Sequence, residues 1–378
     1  MKRTTATHSP RRRAVVGAAC AVFALGSVQP LRAETAAAWQ HDVPESLGVA
    51  SDLSARLDEG VRSGELTNLH AVFVARRGKR ALERYYAGTD DKWGTPLGRV
   101  AFDAATLHDL RSVSKSLVGL LYGIALSEGK VPALDTPVLD AFPAYPDLAR
   151  DARRRAIRMS HVLSMTMGLD WNEDLPYTDP RNSEIAMERS ADRYRYVLER
   201  EVVASPGLKW TYGGGATAIL GHLIARGTGM SLLQFARARL FAPLGIEEVE
   251  WTPGLNGEEA AASGLRLRAC DLARVGQMVL QSGEWNGRAV VPREWIAASL
   301  TPRADAFEGV QYGYQWYLPR RRDGAPACMG IGLGGQRLVV VPSLELVYVI
   351  FMGNYNRAFP EQIRAVSAVQ TLIHSSLR

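Results

Sequence analysis

Residues 112–127 read Ser-Val-Ser-Lys-Ser-Leu-Val-Gly-Leu-Leu-Tyr-Gly-Ile-Ala-Leu-Ser. Leu117, Leu120, Leu121, Ile124 and Ala125 recur at helical spacing, and Gly129 followed by Pro132 stops the pattern, which predicts a helix over this stretch. Ser112 and Lys115 stand three residues apart at its start. On a helix they share a face, so the lysine can reach the hydroxyl and accept its proton when the amine is neutral. The helix N-terminus adds partial positive charge and free N–H groups, which favour both a developing alkoxide and a depressed lysine pKa. Ser127-Glu128-Gly129-Lys130 repeats the spacing where the helix ends. There the dipole is reversed and Gly129 frays the turn, so this second pair reads as a solvated helix end. The lysines are Lys2, Lys79, Lys92, Lys115, Lys130 and Lys209; all other basic side chains are arginines, which do not lose a proton in proteins and cannot serve as a base.

Upstream, Ala71–Ala75 and Ala81–Tyr86 flank Arg77-Gly78-Lys79, a hairpin signature. Downstream, 131–300 is mainly helical in pattern, with Ala216–Arg226, Leu232–Leu240 and Ala269–Gln281 each periodic. Strands return at Tyr312–Leu318, Gln336–Val341 and Leu346–Met352, and a last helix is expected from Glu361 to Leu377. Strands at both ends around a helical middle predict an α+β fold whose two termini share one antiparallel sheet. The expected organisation is a sheet domain made of 34–130 and 300–378, a mainly helical domain at 131–299, and one active site between them.

The net charge of +6 is partly carried by Arg11, Arg12 and Arg13. No basic stripe with interleaved aromatics is present, which excludes a nucleic-acid partner. Lys2, Arg3 and the arginine run precede apolar Ala14–Val28 and then Leu31-Arg32-Ala33, the pattern of an export signal over 1–33 cleaved near Ala33. About fifteen apolar residues are too few to span a bilayer, so no stable membrane span is expected and the mature chain is placed in the periplasm or outside the cell. Past the signal only Cys270 and Cys328 remain, which permits one disulfide in an oxidising compartment. The cysteines do not make a zinc site, and neither His-x-His nor His-Glu-x-x-His occurs, so no metal or other cofactor is expected. His161 and His222 read as structural polar contacts. No Gly-x-Ser-x-Gly elbow occurs either.

Leu110-Arg111-Ser112-Val113-Ser114-Lys115-Ser116 resembles the nucleophile segment of the serine β-lactamase and penicillin-binding-protein superfamily, in the class C-like branch that also holds family VIII esterases and 6-aminohexanoate-dimer hydrolases. Pro206-Gly207-Leu208-Lys209-Trp210-Thr211-Tyr212 resembles its second motif. Gly330-Ile331-Gly332-Leu333-Gly334-Gly335-Gln336 resembles its third, and Ser160–Leu169 is similar to a further family segment. The likeness runs over about residues 65–375. It implies a β-lactamase/transpeptidase-like fold, Ser112 as nucleophile, Lys115 and Tyr212 as the proton relay with either one as base, and the backbone N–H groups of Ser112 and Leu333 as the oxyanion hole. The phenol pKa of Tyr212 would be lowered by the ammonium, or the ammonium's by the phenol.

Two positions depart from the resemblance. Gly214 stands where β-lactamases carry an asparagine, and Gly330 where they carry a lysine or relatives a histidine. The missing groups contact the acyl amide and the substrate carboxylate, which argues against efficient β-lactam hydrolysis and against a dedicated D-Ala-D-Ala peptidase. The expected substrate is a small ester or amide, cleaved through a serine acyl-enzyme. The alternatives are a β-lactamase or D-amino-acid peptidase, and a catalytically silent protein that binds cell-envelope material. The loop Asp170–Glu184 is acidic, aromatic and Pro-broken; by resemblance it offers Tyr177 as a lid and Asp179 as an anchor for an amine, with Gly214 and Gly332 lining the same pocket.

Overall fold

A computed structural model describes residues 39–320 and 324–378, together with Met1, Lys2 and Thr5. Apart from those three residues, the expected export signal at 1–33 lies outside the described residues. The described residues from Trp39 to Arg378 make one compact unit.

The first strands are β1 (Leu69–Arg76), β2 (Lys79–Tyr85), β3 (Gly88–Lys92), β4 (Thr95–Val100) and β5 (His108–Asp109). Short strands follow at β6 (Glu250–Trp251), β7 (Leu265–Leu267), β8 (Glu284–Trp285) and β9 (Arg288–Ala289). The last group is β10 (Ala304–Phe307), β11 (Val310–Tyr312), β12 (Tyr317–Pro319), β13 (Cys328–Gly332), β14 (Gln336–Val341) and β15 (Leu346–Met352). Eight of these form one sheet in the order β10-β11-β12-β13-β14-β15-β1-β2. The two ends of the chain meet where β1 pairs antiparallel with β15, Phe73 opposite Val349 and Val74 opposite Tyr348. The shared sheet expected from the sequence is thus present.

Side chains alternate between the faces of this sheet. Phe73, Leu338, Val340, Val347 and Val349 enter one core, while Val72, Val74, Val339, Tyr348 and Ile350 enter the other. Both faces are covered, which is why these strands read as unbroken apolar runs. Helices Leu53–Ser63 and Phe359–Ser375 contribute Leu57, Val366 and Val369 to the second core. Helices Val113–Ser127 and Ala269–Leu280 serve the first. The latter lies directly on β1, β14 and β15, and Gly276 allows that approach: a Cβ there would stand 2.6 Å from Val347 Cγ1.

Helix Val113–Ser127 is the central element. Every residue from Val113 to Ala125 is buried, so it is apolar all round rather than amphipathic, as a core helix must be. Each of its fully buried leucines contributes about 1.5–3 kcal/mol relative to exposure. Strand β13 runs against the helix start: a Cβ on Gly330 would lie 2.9 Å from Val113 Cγ1, and one on Gly332 only 2.4 Å from Leu110 O. The two glycines therefore let strand β13 reach the turn that carries Ser112.

Tyr312–Leu318, expected as a single strand, is two. The chain reverses between β11 and β12, where Gly313 N donates to Trp316 O at 2.9 Å and Gln315 takes φ +62°. The helix expected over Leu232–Leu240 is α-helical to Ala236 and then widens into a π turn through Phe241. Cys270 and Cys328 do not pair; both are free thiols. Among the described residues no helix is long and apolar enough to cross a membrane.

Candidate active site

Ser112 occupies the turn that feeds the central helix. Arg111 adopts φ +48°, Ser112 returns to φ −67°, and Val113 N and Ser114 N donate to Leu110 O and Arg111 O. The Ser112 side chain makes no capping bond to the helix, which leaves its hydroxyl free for other partners. Lys115, only 2 % exposed, donates from Nζ to Ser112 Oγ at 3.0 Å and to Ala262 O at 3.0 Å. Two fixed acceptors thus hold the amine against the hydroxyl.

The segment ahead of helix Gly214–Thr228 brings Tyr212 to the same point. Its backbone is anchored by Thr211 N donating to Met165 O at 2.9 Å. The Tyr212 phenol is a hydrogen-bond partner of Ser112, and Lys115 Nζ lies 4.9 Å from the Tyr212 ring centre. Of the two pKa shifts that the sequence left open for this pair, lowering of the phenol does not occur. Burial, followed by the negative charges of Glu173 and Glu184, pushes Tyr212 well above its ordinary value, and the bond to Ser112 only partly opposes this. Tyr212 is therefore a neutral proton donor at neutral pH.

Glu173 and Glu184 are site residues that the sequence did not single out. Glu173 accepts from Gly214 N at 2.5 Å and Trp171 Nε1 at 2.6 Å on one oxygen, and from the Tyr177 hydroxyl at 2.9 Å on the other. Glu184 is 5 % exposed; Ser263 Oγ donates to its Oε1 at 3.2 Å, and its Oε2 has no hydrogen-bond partner. A Cβ on Gly214 would stand 2.6 Å from that Oε2, and one on Gly215 would stand 2.7 Å from the Trp171 ring. The glycine run 213–215 thus makes room for a buried carboxylate and an indole.

Burial, then repulsion from Glu184, pushes the Glu173 carboxyl up to about 8, with Lys115 pulling the other way. A carboxyl raised in the folded state keeps a proton that the unfolded chain releases. Its stabilising contribution is complete below the unfolded value of 4.5 and is lost as pH rises through about 8. Glu173→Gln is accordingly expected to flatten the fall in Tm between pH 5 and 9, measured by differential scanning fluorimetry beside the wild type. Parallel Tm curves would contradict this placement of the proton.

The remaining sequence candidates divide. Tyr177 is joined to the site through Glu173. Asp179 instead forms a two-point ion pair with Arg181, at 3.1 and 2.7 Å, which holds its carboxyl down at about 2. Leu333 lies in the turn between β13 and β14, next to Gly332, which faces Leu110 O. Trp210 and Tyr317 were also unforeseen; they stack edge-on at 6.2 Å, and Tyr317 senses the charges of Lys115 and Glu173. His161 and His222 make local contacts as expected: Arg158 N donates to the former, and Glu258 pairs with the latter at 3.1 Å.

The chain is similar to known proteins. The family model described as Beta-lactamase matches residues 67–371. The 6-aminohexanoate-dimer hydrolase of Paenarthrobacter ureafaciens is 28 % identical over 320 residues, covering 79 % of this chain and 74 % of that protein. Among solved structures, EstCE1, a hydrolase with promiscuous acyltransferase activity, superposes with TM-score 0.66 at 17 % identity over 85 % of this chain and 99 % of its own. A family VIII carboxylesterase superposes with TM-score 0.64 at 15 % identity, covering 88 % and 98 %. These structural likenesses establish a common fold, and the family match spans the Ser112 turn, the Tyr212 segment and the glycine strand together. The chain belongs to the beta-lactamase family.

Proposed function

We propose that this member of the beta-lactamase family hydrolyses short amides and carboxylic esters through an acyl-enzyme on Ser112. The convergence of Ser112 Oγ, the Lys115 amine and the Tyr212 phenol carries this reading. Ser112 attacks the carbonyl carbon while its proton leaves toward Lys115, and the N–H groups of Ser112 and Leu333 stabilise the oxyanion. Tyr212 protonates the leaving group, and water reverses the sequence to release the acid.

The unpartnered Oε2 of buried Glu184, beside Glu173, offers an acceptor to a substrate that brings a cationic group, such as an amine-bearing amide; the similarity to a 6-aminohexanoate-dimer hydrolase supports the same choice. Glu184 fills the space beside Gly214 that a β-lactamase-type asparagine would need, which weighs against β-lactams. The sequence of residues 1–33 supports action outside the cytoplasm.

A parallel screen tests the proposal, using p-nitrophenyl esters, linear amides with and without a terminal amine, and a chromogenic cephalosporin. We expect ester and amide turnover, at least about tenfold faster with the amine present, an effect of the size expected for one charge-assisted contact. Turnover of the cephalosporin alone would overturn it.

A further inference from the structure

Behind the nucleophile turn, three strands bring His70 (β1), Asp90 (β3) and His108 (β5) together, at 0 %, 1 % and 1 % exposure. His70 Nδ1 and His108 Nε2 are 2.9 Å apart, and Asp90 Oδ1 is 4.0 Å from the first and 3.7 Å from the second.

The surrounding hydrogen bonds fix both tautomers. His108 Nδ1 lies 2.9 Å from Asp109 O, which can only accept, so Nδ1 carries the proton. Asn68 Nδ2 donates to Thr89 O at 2.8 Å and Asn68 Oδ1 accepts from Thr89 N at 2.9 Å, so Oδ1 is the atom that faces His70 Nε2 at 3.2 Å. His70 Nε2 must therefore be the donor. Both remaining nitrogens present lone pairs to each other, beside a carboxylate whose Oδ2 has no hydrogen-bond partner. Two opposed lone pairs buried at 2.9 Å repel unless a cation lies between them.

The geometry points to a divalent transition-metal ion, zinc by its donor set, held by His70 Nδ1, His108 Nε2 and Asp90 Oδ1; we propose it independently of the hydrolytic reading. The circle through atoms separated by 2.9, 3.7 and 4.0 Å has a radius of about 2.1 Å, which is the zinc–nitrogen and zinc–oxygen bond length of about 2.0–2.2 Å. Two imidazoles and one carboxylate suit zinc or cobalt rather than calcium or magnesium, which prefer all-oxygen sites. Each imidazole is oriented through its other nitrogen, as metal-bound histidines are.

The surroundings are built around this group. A Cβ on Gly88 would lie 2.5 Å from His70 Nε2, and one on Gly353 would lie 2.5 Å from His70 Cε1. Phe102 stacks on His70 at 4.1 Å and Phe351 on His108 at 4.6 Å. Tyr355 donates to Asp90 Oδ1 at 3.1 Å. The nearby Arg111 and Arg266 are both paired to Asp109, at 3.1 and 2.7 Å. A shared proton is the competing way to separate the lone pairs. An ion here would tie β1, β3 and β5 together four residues ahead of Ser112.

Metal content of the purified full chain, measured by inductively coupled plasma mass spectrometry after growth and dialysis with zinc, is expected near one zinc per chain. Chelation should lower Tm by at least about 5 °C, with recovery on adding zinc. Cobalt added to the stripped wild type should give visible d–d absorption. His70→Gln and Asp90→Asn should each lose the metal; because either variant can fold poorly, the cobalt spectrum of the wild type is the second arm. A wild type free of metal and indifferent to zinc would overturn the site, leaving a shared proton. Full metal content in both variants would overturn it equally, because the ion would then be bound elsewhere.

Discussion

Ser112→Ala is expected to lower ester hydrolysis at least about 10³-fold and to abolish labelling by a fluorophosphonate, with the labelled peptide of the wild type containing Ser112. The magnitude follows from removing the atom proposed to form the covalent intermediate, which in serine hydrolases leaves only the residual rate of the oxyanion donors and binding. Stability is expected to behave differently. Ser112 supplies no cap to the helix it precedes and its hydroxyl is spent on Lys115 and Tyr212, so alanine keeps the fold and Tm should hold or rise. Activity lost together with Tm would mean a structural role for the hydroxyl. Undiminished hydrolysis, or a stable adduct elsewhere, would remove Ser112 from the mechanism.

The same turn shows why part of this protein could be read in advance. Helix Val113–Ser127, the β1–β2 hairpin and strands β14 and β15 each rest on local periodicity and run within a residue or two of where the sequence puts them. Ser112, Lys115 and Tyr212 were legible because two share a helical turn and the third sits in a motif recognised by resemblance. Glu173 and Glu184 were not, since a loop acid reads as solvated and only the tertiary fold buries it beside Trp171 and Gly214. Asp179 shows the converse: an acid in the same loop that attracted notice and is neutralised by its neighbour Arg181. The His70, Asp90 and His108 group escaped because its members lie on three strands separated by long stretches of chain, and a search for closely spaced ligands cannot join them. The β11–β12 reversal escaped because Gln315 at φ +62° breaks an aromatic run that otherwise alternates like one strand.

Tyr212→Phe and Lys115→Arg are expected to separate the two halves of the proposed proton relay, and the leaving group is the discriminating variable. Burial above all keeps the Tyr212 phenol protonated, which suits it to be the acid of the proposed relay rather than the base. An amide cannot expel its nitrogen without a proton, whereas p-nitrophenolate leaves as the anion. Tyr212→Phe should therefore reduce kcat for an alkyl amide about 10²–10⁴-fold, the range of general acid catalysis, and for the matched p-nitrophenyl ester only about tenfold. Lys115→Arg should reduce both by about 10³-fold or more, since a guanidinium does not give up its proton and so cannot accept that of Ser112. KM should change little in either variant, because neither side chain is assigned to substrate binding. Equal losses on ester and amide in Tyr212→Phe would transfer the base role to the tyrosine, and an active Lys115→Arg enzyme would reduce the lysine to an electrostatic prop.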